Sequence, residues 1–273
     1  MNTTVGLWHD RNHRYFAKYA DTAAIGPLPG VTGAIGILDK PAVAYWRGTT
    51  VAQIIAKDLD FYRKLIEAGG VDAAVTWAAK LPGYERDKAA DKGTLVHVLV
   101  EKILRGREVE VDPELVPYAI AFRRFLEERK PTVVSVERQV AHLEHGWGGT
   151  LDLLLDFGDG IELWDVKTWR KRPVAGSDMY SETGLQLGAY SHAKFIGAPD
   201  DPKRHRMPQI ARCGVLHLRP DAYDAGYSMI QFRVTDREYE TFLALLPIVA
   251  WKQECAKAII QEPLPVPSLV VAA

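Results

Sequence analysis

The sequence predicts an α/β protein in which one central mixed sheet is flanked by helices and preceded by an N-terminal helical extension. Two observations carry this. Apolar residues recur with helical spacing from Thr49 to Arg129, and from Thr132 the spacing becomes alternating. After three alternating stretches the pattern returns to helix and then to two further strands, so a meander, a crossover helix and added strands share one sheet. A chain of 273 residues that is 47% hydrophobic and 25% charged has the composition to bury such a core.

The elements follow in order. Tyr15 to Lys40 reads as loop, punctuated by Gly26-Pro27, Pro29-Gly30, Gly33 and Gly36. Its GVTGAIG run does not have the glycine spacing of a dinucleotide-binding turn. A helix capped by Thr49 or Thr50 runs to about Ala68, with Gly69-Gly70 ending it. A second covers Val71 to Lys80 and is broken by Pro82-Gly83; a third, from about Ala89 to Arg105, places His97 and Glu101 on one face. Pro113 opens a fourth, through Arg129. Val133–Leu143, Thr150–Phe157 and Ile161–Lys167 are expected strands of an antiparallel meander. Asp178 to Phe195 is expected to be helix, Arg212–Leu218 and Tyr227–Val234 strands, and Asp236 to Gln261 a long helix. The expected organisation is an N-terminal extension over 1–85, a core over 86–262 and a Pro-rich tail over 263–273.

The chemistry concentrates between Gly148 and Thr168. Gly158-Asp159-Gly160 supplies a tight turn, so the strands on either side are neighbours. Side chains two apart on a strand share a face, which puts Asp165 with Lys167 and lets the hairpin bring Asp152 towards them. Two carboxylates and a lysine on one side of an apolar hairpin are costly to bury unless a cation sits among them.

This Asp, turn, Asp-x-Lys arrangement resembles the signature of the PD-(D/E)xK nuclease superfamily. Gly93-Thr94-Leu95-Val96-His97 with Glu101, and Gln186 with Tyr190, resemble the G-T-x-x-H-x-x-x-E and Q-x-x-x-Y motifs of its RecB-like exonuclease branch, which includes phage-encoded and CRISPR-associated members. The resemblance spans Gly93 to Tyr190. It implies a restriction-endonuclease-like core and a metal-dependent DNA exonuclease that hydrolyses phosphodiester bonds in phage recombination, repair or genome processing. The alternatives are a structure-specific or restriction-like endonuclease and a non-catalytic DNA-binding module of the same fold. Asp152 and Asp165 are the expected metal ligands, the Val166 carbonyl a third, and His97 a further ligand by resemblance. The ion is Mg²⁺ or Mn²⁺, and an imidazole suits Mn²⁺ better. Lys167 orients or deprotonates the attacking water or neutralises charge on the phosphate, against the simpler reading of a structural partner to Asp165. Glu101 orients the histidine from behind or holds a second ion. Gln186 and Tyr190 share a helix face beside the lysine, as donors to phosphate or water, against a capping Gln and a core Tyr.

Asp156, Asp159 and Glu162 are read as turn and edge charges, and His142 and His145 as rim residues. Arg123 and Arg124, and Arg170, Lys171 and Arg172 just after the lysine, are the expected contacts to the DNA backbone, with the helical layer from Thr49 to Arg129 as one wall of its passage. A recombination protein or a second copy of the chain is the further partner expected. Cys213 and Cys255 lack metal-site spacing, and the four cysteines of an iron-sulfur cluster are not present. With no apolar run of membrane-spanning length, no membrane partner is expected and a cytoplasmic location is, the host's if the chain is phage-encoded.

Overall fold

The computed structural model describes residues 4–10, 14–19, 23–107, 110–168, 181–198, 201–220, 226–255 and 258–259. Two sheets are present among them. The smaller is formed by β1 (Thr4–His9), β2 (Tyr15–Tyr19) and β3 (Ile25–Leu28). The helices α1 (Val31–Ile35), α2 (Pro41–Lys57), α3 (Leu59–Leu104) and α4 (Val116–Arg129) follow. The larger sheet is built from β4 (Thr132–His142), β5 (Trp147–Asp156), β6 (Ile161–Thr168), β7 (Phe195–Ala198), β8 (Asp201–Arg206), β9 (Arg212–Leu218) and β10 (Tyr227–Phe232). Helix α5 (Ser181–Ser191) separates β6 from β7, and α6 (Asp236–Glu254) comes last.

The large sheet has the order β10-β9-β6-β5-β4-β7-β8. Strands β4, β5 and β6 form the expected antiparallel meander. After β6 the chain passes through α5 to the β4 side, makes the β7–β8 pair, and returns to lay β9 parallel to β6. Hence the sheet is mixed. Its two faces bury separate cores: Leu153, Leu155, Trp164 and Val166 pack with residues of α3 and α4, while Leu154 and Leu163 pack with α1, α5 and α6. Alternation along β5 and β6 produces this division, because neighbouring residues on a strand point to opposite faces.

The N-terminal region departs from its expected form. The stretch read as loop contains β2, β3 and α1, and β1 precedes it. Those strands are four to six residues long, and Gly6 interrupts β1 and Gly26-Pro27 interrupts β3, so local pattern is weak. What forms them is packing, since Leu7 and Ala17 close on Ala141 of β4, and Val31, Ala34 and Ile35 are buried against the core.

The helical region also differs. Helix α2 begins at Pro41, eight residues before the expected cap, with proline in its favoured first position. The expected break at Gly69-Gly70 is real: Gly70 has φ 79° and ψ 173°, a conformation open to glycine. The chain folds back there, because Phe61 and Trp77 meet with ring centroids 5.4 Å apart, whereas 16 residues of straight helix would separate them by about 24 Å. The expected break at Pro82-Gly83 does not occur, and helix continues through both residues to the segment that carries His97. An interior proline costs roughly 3 kcal/mol; burial of Ala74, Ala78 and Leu81 beside it offsets that. The expected boundary at residues 85 and 86 thus falls within α3. Strands β7 and β8 carry no clear alternation and were not expected. At α6 the local signal holds, with Thr235 and Glu238 forming a capping box. The tail over 263–273 and Arg170, Lys171 and Arg172 lie outside the described residues. Among those described, no helix is long and apolar enough to cross a membrane.

Candidate metal centre

Five elements meet at one point of the large sheet. Strands β5 and β6 pair as far as Leu153 with Trp164. Just beyond, Asp152 replaces a backbone acceptor: its Oδ2 takes the Val166 N–H at 2.6 Å. The Val166 side chain is buried in the core behind. Asp165, between Trp164 and Val166, turns to the opposite face, where α5 runs. There Gln186 Nε2 donates to Asp165 Oδ1 at 2.9 Å. Lys167 Nζ lies 2.7 Å from Asp165 Oδ2, an ion pair.

Helix α3 passes the end of β6, since a β carbon on Gly93 would sit 3.8 Å from Thr168 Oγ1. One turn later His97 Nδ1 lies 3.3 Å from Glu137 Oε1 and 3.6 Å from Asp152 Oδ1. Ligand atoms of His97, Glu137 and Asp152 all fall within 4.8 Å of one another, a spacing able to hold a metal ion.

Glu137 is the site residue that the sequence reading missed. In β4, Val136 pairs with Leu153 and Arg138 with Leu151, which sets Glu137 opposite Asp152. Its φ is 47°, in the left-handed region that a non-glycine residue enters at a cost of about 1–2 kcal/mol. Strain of this kind persists only where the surroundings impose it, and here it brings the carboxylate to His97. A signal was available, because a hairpin centred on Glu144-His145 places Glu137 against Asp152 by register alone.

The electrostatics fit a cation. Burial opposes a charged imidazole at His97, but Asp152, Glu137 and Asp165 outweigh it and hold the ring up at about 9. Burial raises Asp165 to about 6, against the pull of Lys167, and raises Asp152 as well. The cluster therefore retains protons that a divalent cation would displace. Two carboxylates and one imidazole suit a hard to borderline ion such as Mg²⁺ or Mn²⁺.

Other expected site residues are placed differently. Glu101 pairs with Arg105 at 2.9 Å, and the carboxylate on His97 is Glu137 instead. Tyr190 is 3% exposed and sits over Gly149, whose missing side chain makes room for its ring. It belongs to the core that α5 closes, and burial raises its hydroxyl well above the ordinary range. Tyr15, from the region read as loop, packs over Gly148 and meets the Thr150 hydroxyl at 3.1 Å. Arg123 and Arg124 are exposed on α4, with Arg124 paired to Glu128 at 2.6 Å.

The residues read as turn charges have structural partners. Asp156 accepts from the Gly158 N–H, Asp159 meets Arg212, and buried Glu162 binds Trp164 and Arg212. His142 is buried rather than on the rim, stacked on His145 with centroids 3.9 Å apart. No protein-family model matches the chain, and no curated protein matches it.

Proposed function

We propose that the protein is a metal-dependent nuclease of the RecB-like type that degrades DNA from a free end. The observation that carries the reading is convergence. Residues 40 apart on separate elements, His97 and Glu137, meet Asp152 within coordination spacing, and the Asp165–Lys167–Gln186 group adjoins them. Such a union of carboxylates, imidazole and lysine in a partly buried site is costly for stability alone.

A divalent cation held by His97, Glu137 and Asp152, with Asp165 adjoining, would supply Lewis-acid activation of water and of the scissile phosphate. The protein residues divide the remaining work. The Val166 N–H fixes the Asp152 carboxylate, leaving its Oδ1 turned to His97. Lys167, 29% exposed at its side chain, reaches the open part of the site and offers a positive charge to a phosphate oxygen or orients the attacking water. Gln186 holds Asp165 in place through its amide. Tyr190, packed beneath, fixes the helix that carries Gln186.

End-labelled linear DNA and closed circular DNA of the same sequence, incubated with Mn²⁺, test the reading. Progressive loss of linear DNA to small products with survival of circles is expected. Rapid linearisation of circles would establish an endonuclease instead, and absence of cleavage from both substrates would leave a binding module.

A further inference from the structure

The helical arm carries a second polar feature on the same helix as His97. Between α2 and α3 lies a cleft of about 430 Å³ lined by Arg47, Gly48 and Val51 on one side and Ala79, Gly83 and Arg86 on the other. Two guanidinium groups line it, and no carboxylate does among the described residues. Like charges gathered at one cleft repel, so the arrangement favours an anion between them. Arg86 also pairs with Asp87 at 2.7 Å, where both side chains are 61% exposed, an interaction worth little in water. The floor is shallow, since β carbons built on Gly48 and Gly83 would meet nothing within 4 Å. A ligand can therefore approach the helix backbone closely.

Position connects this cleft with the metal centre. Arg86 stands eleven residues before His97 in α3, which is about three helical turns. The two side chains thus share one side of the helix, about 16 Å apart along its axis. Pro82 and Gly83, which line the cleft, stand one turn before Arg86, at the start of this stretch of helix.

We propose that this cleft binds the phosphodiester backbone of a single nucleic-acid strand, with Arg47 and Arg86 as its phosphate contacts, and leads that strand along α3 to the metal centre. The inference rests on the nuclease reading for its destination, whereas the binding of phosphate stands on the cleft. Planar guanidinium groups match phosphate oxygens in pairs. A cleft of about 430 Å³, in the range of small-ligand pockets, has room for the backbone of one strand.

The test uses fluorescence anisotropy with labelled single strands of two to twenty nucleotides, in chelator so that nothing is cut. For R47A/R86A, binding of the twenty-mer should weaken about 10-fold, with the dependence of log K on log salt shallower by about 1.4, as expected for two lost phosphate contacts on a single strand. The loss should grow with length, because a dinucleotide at the metal centre does not reach Arg86. R47K/R86K, which keeps the charge, should keep most of the salt dependence, and circular dichroism checks the fold of each variant. Equal affinity and salt slope for wild type and R47A/R86A would overturn the proposal. A twenty-base-pair duplex losing as much affinity as the strand would overturn the single-strand assignment. Wild-type cleavage in Mn²⁺, measured alongside, separates the two readings. Arginine-dependent binding without cleavage retains the cleft and removes the nuclease, cleavage with arginine-independent binding does the reverse, and absence of binding by the wild type removes both.

Discussion

At the scale of single residues, the division between Asp152 and Lys167 gives the sharpest expectation. Asp152 is a ligand candidate that also accepts the Val166 N–H, whereas Lys167 brings a positive charge and pairs with Asp165. Lys167→Ala should abolish cleavage while changing Mn²⁺ affinity little; Asp152→Ala should lose both, by calorimetric titration and nuclease assay of each variant. Wild-type cleavage by Lys167→Ala would return the lysine to a structural role. Glu137 gives a second expectation, because its backbone is strained and its carboxylate faces another. Asn tolerates the left-handed region better and carries no charge. In metal-free protein Glu137→Asn should raise the melting temperature by about 2–4 °C, as for roughly 1 kcal/mol of relief. The same change should weaken Mn²⁺ binding at least ~10-fold, the size expected for losing a metal-site partner. An unchanged affinity would show that Glu137 is not a ligand.

At the scale of elements, the corner between β4 and β5 depends on pH. Burial, then repulsion from His145, Lys194 and His192, lowers His142 to about 4 from an ordinary 6.5, with Glu144 opposing. The folded state therefore binds fewer protons than the unfolded chain between those values, and stability rises with pH across that window. It should be fully present above about 6.5 and fall by on the order of 2–3 kcal/mol as pH drops towards 4. His142→Asn retains an acceptor for the His145 N–H without titrating, so its denaturant midpoint should vary less over that range. The packing of α5 on β5 is equally specific. A β carbon at position 149 would come 2.5 Å from the Tyr190 ring, so Gly149→Ala should cost about 1–3 kcal/mol as an overpacked contact. Thermal denaturation measures this, and a neutral result would mean that α5 shifts freely.

At the scale of the whole molecule, the candidate metal centre joins residues of α3, β4 and β5 beside β6, so a bound ion should stabilise the fold as a unit. At a hundredfold excess over its dissociation constant, Mn²⁺ should add about 2.7 kcal/mol, seen as a rise in melting temperature that chelator reverses. A metal-insensitive melting temperature would count against the site. The helical arm adds reach to the same centre, since α3 runs from the cleft at Arg86 to His97 without interruption.

The sequence by itself determined the meander, the strands β9 and β10, the start of α6, and the placing of His97, Asp152, Asp165, Lys167 and Gln186 around one point. These are legible because strand alternation, turn residues and capping boxes act over a few residues. Tertiary structure decided the rest. Glu137 enters the site through register and a strained backbone, Glu101 turns away because Arg105 lies one turn further on, and Tyr190 goes under the sheet because Gly149 leaves room for it. The N-terminal sheet and the passage of α3 through Pro82 were likewise hidden, since very short strands and an interior proline carry unfavourable local signals that only burial against distant residues overcomes.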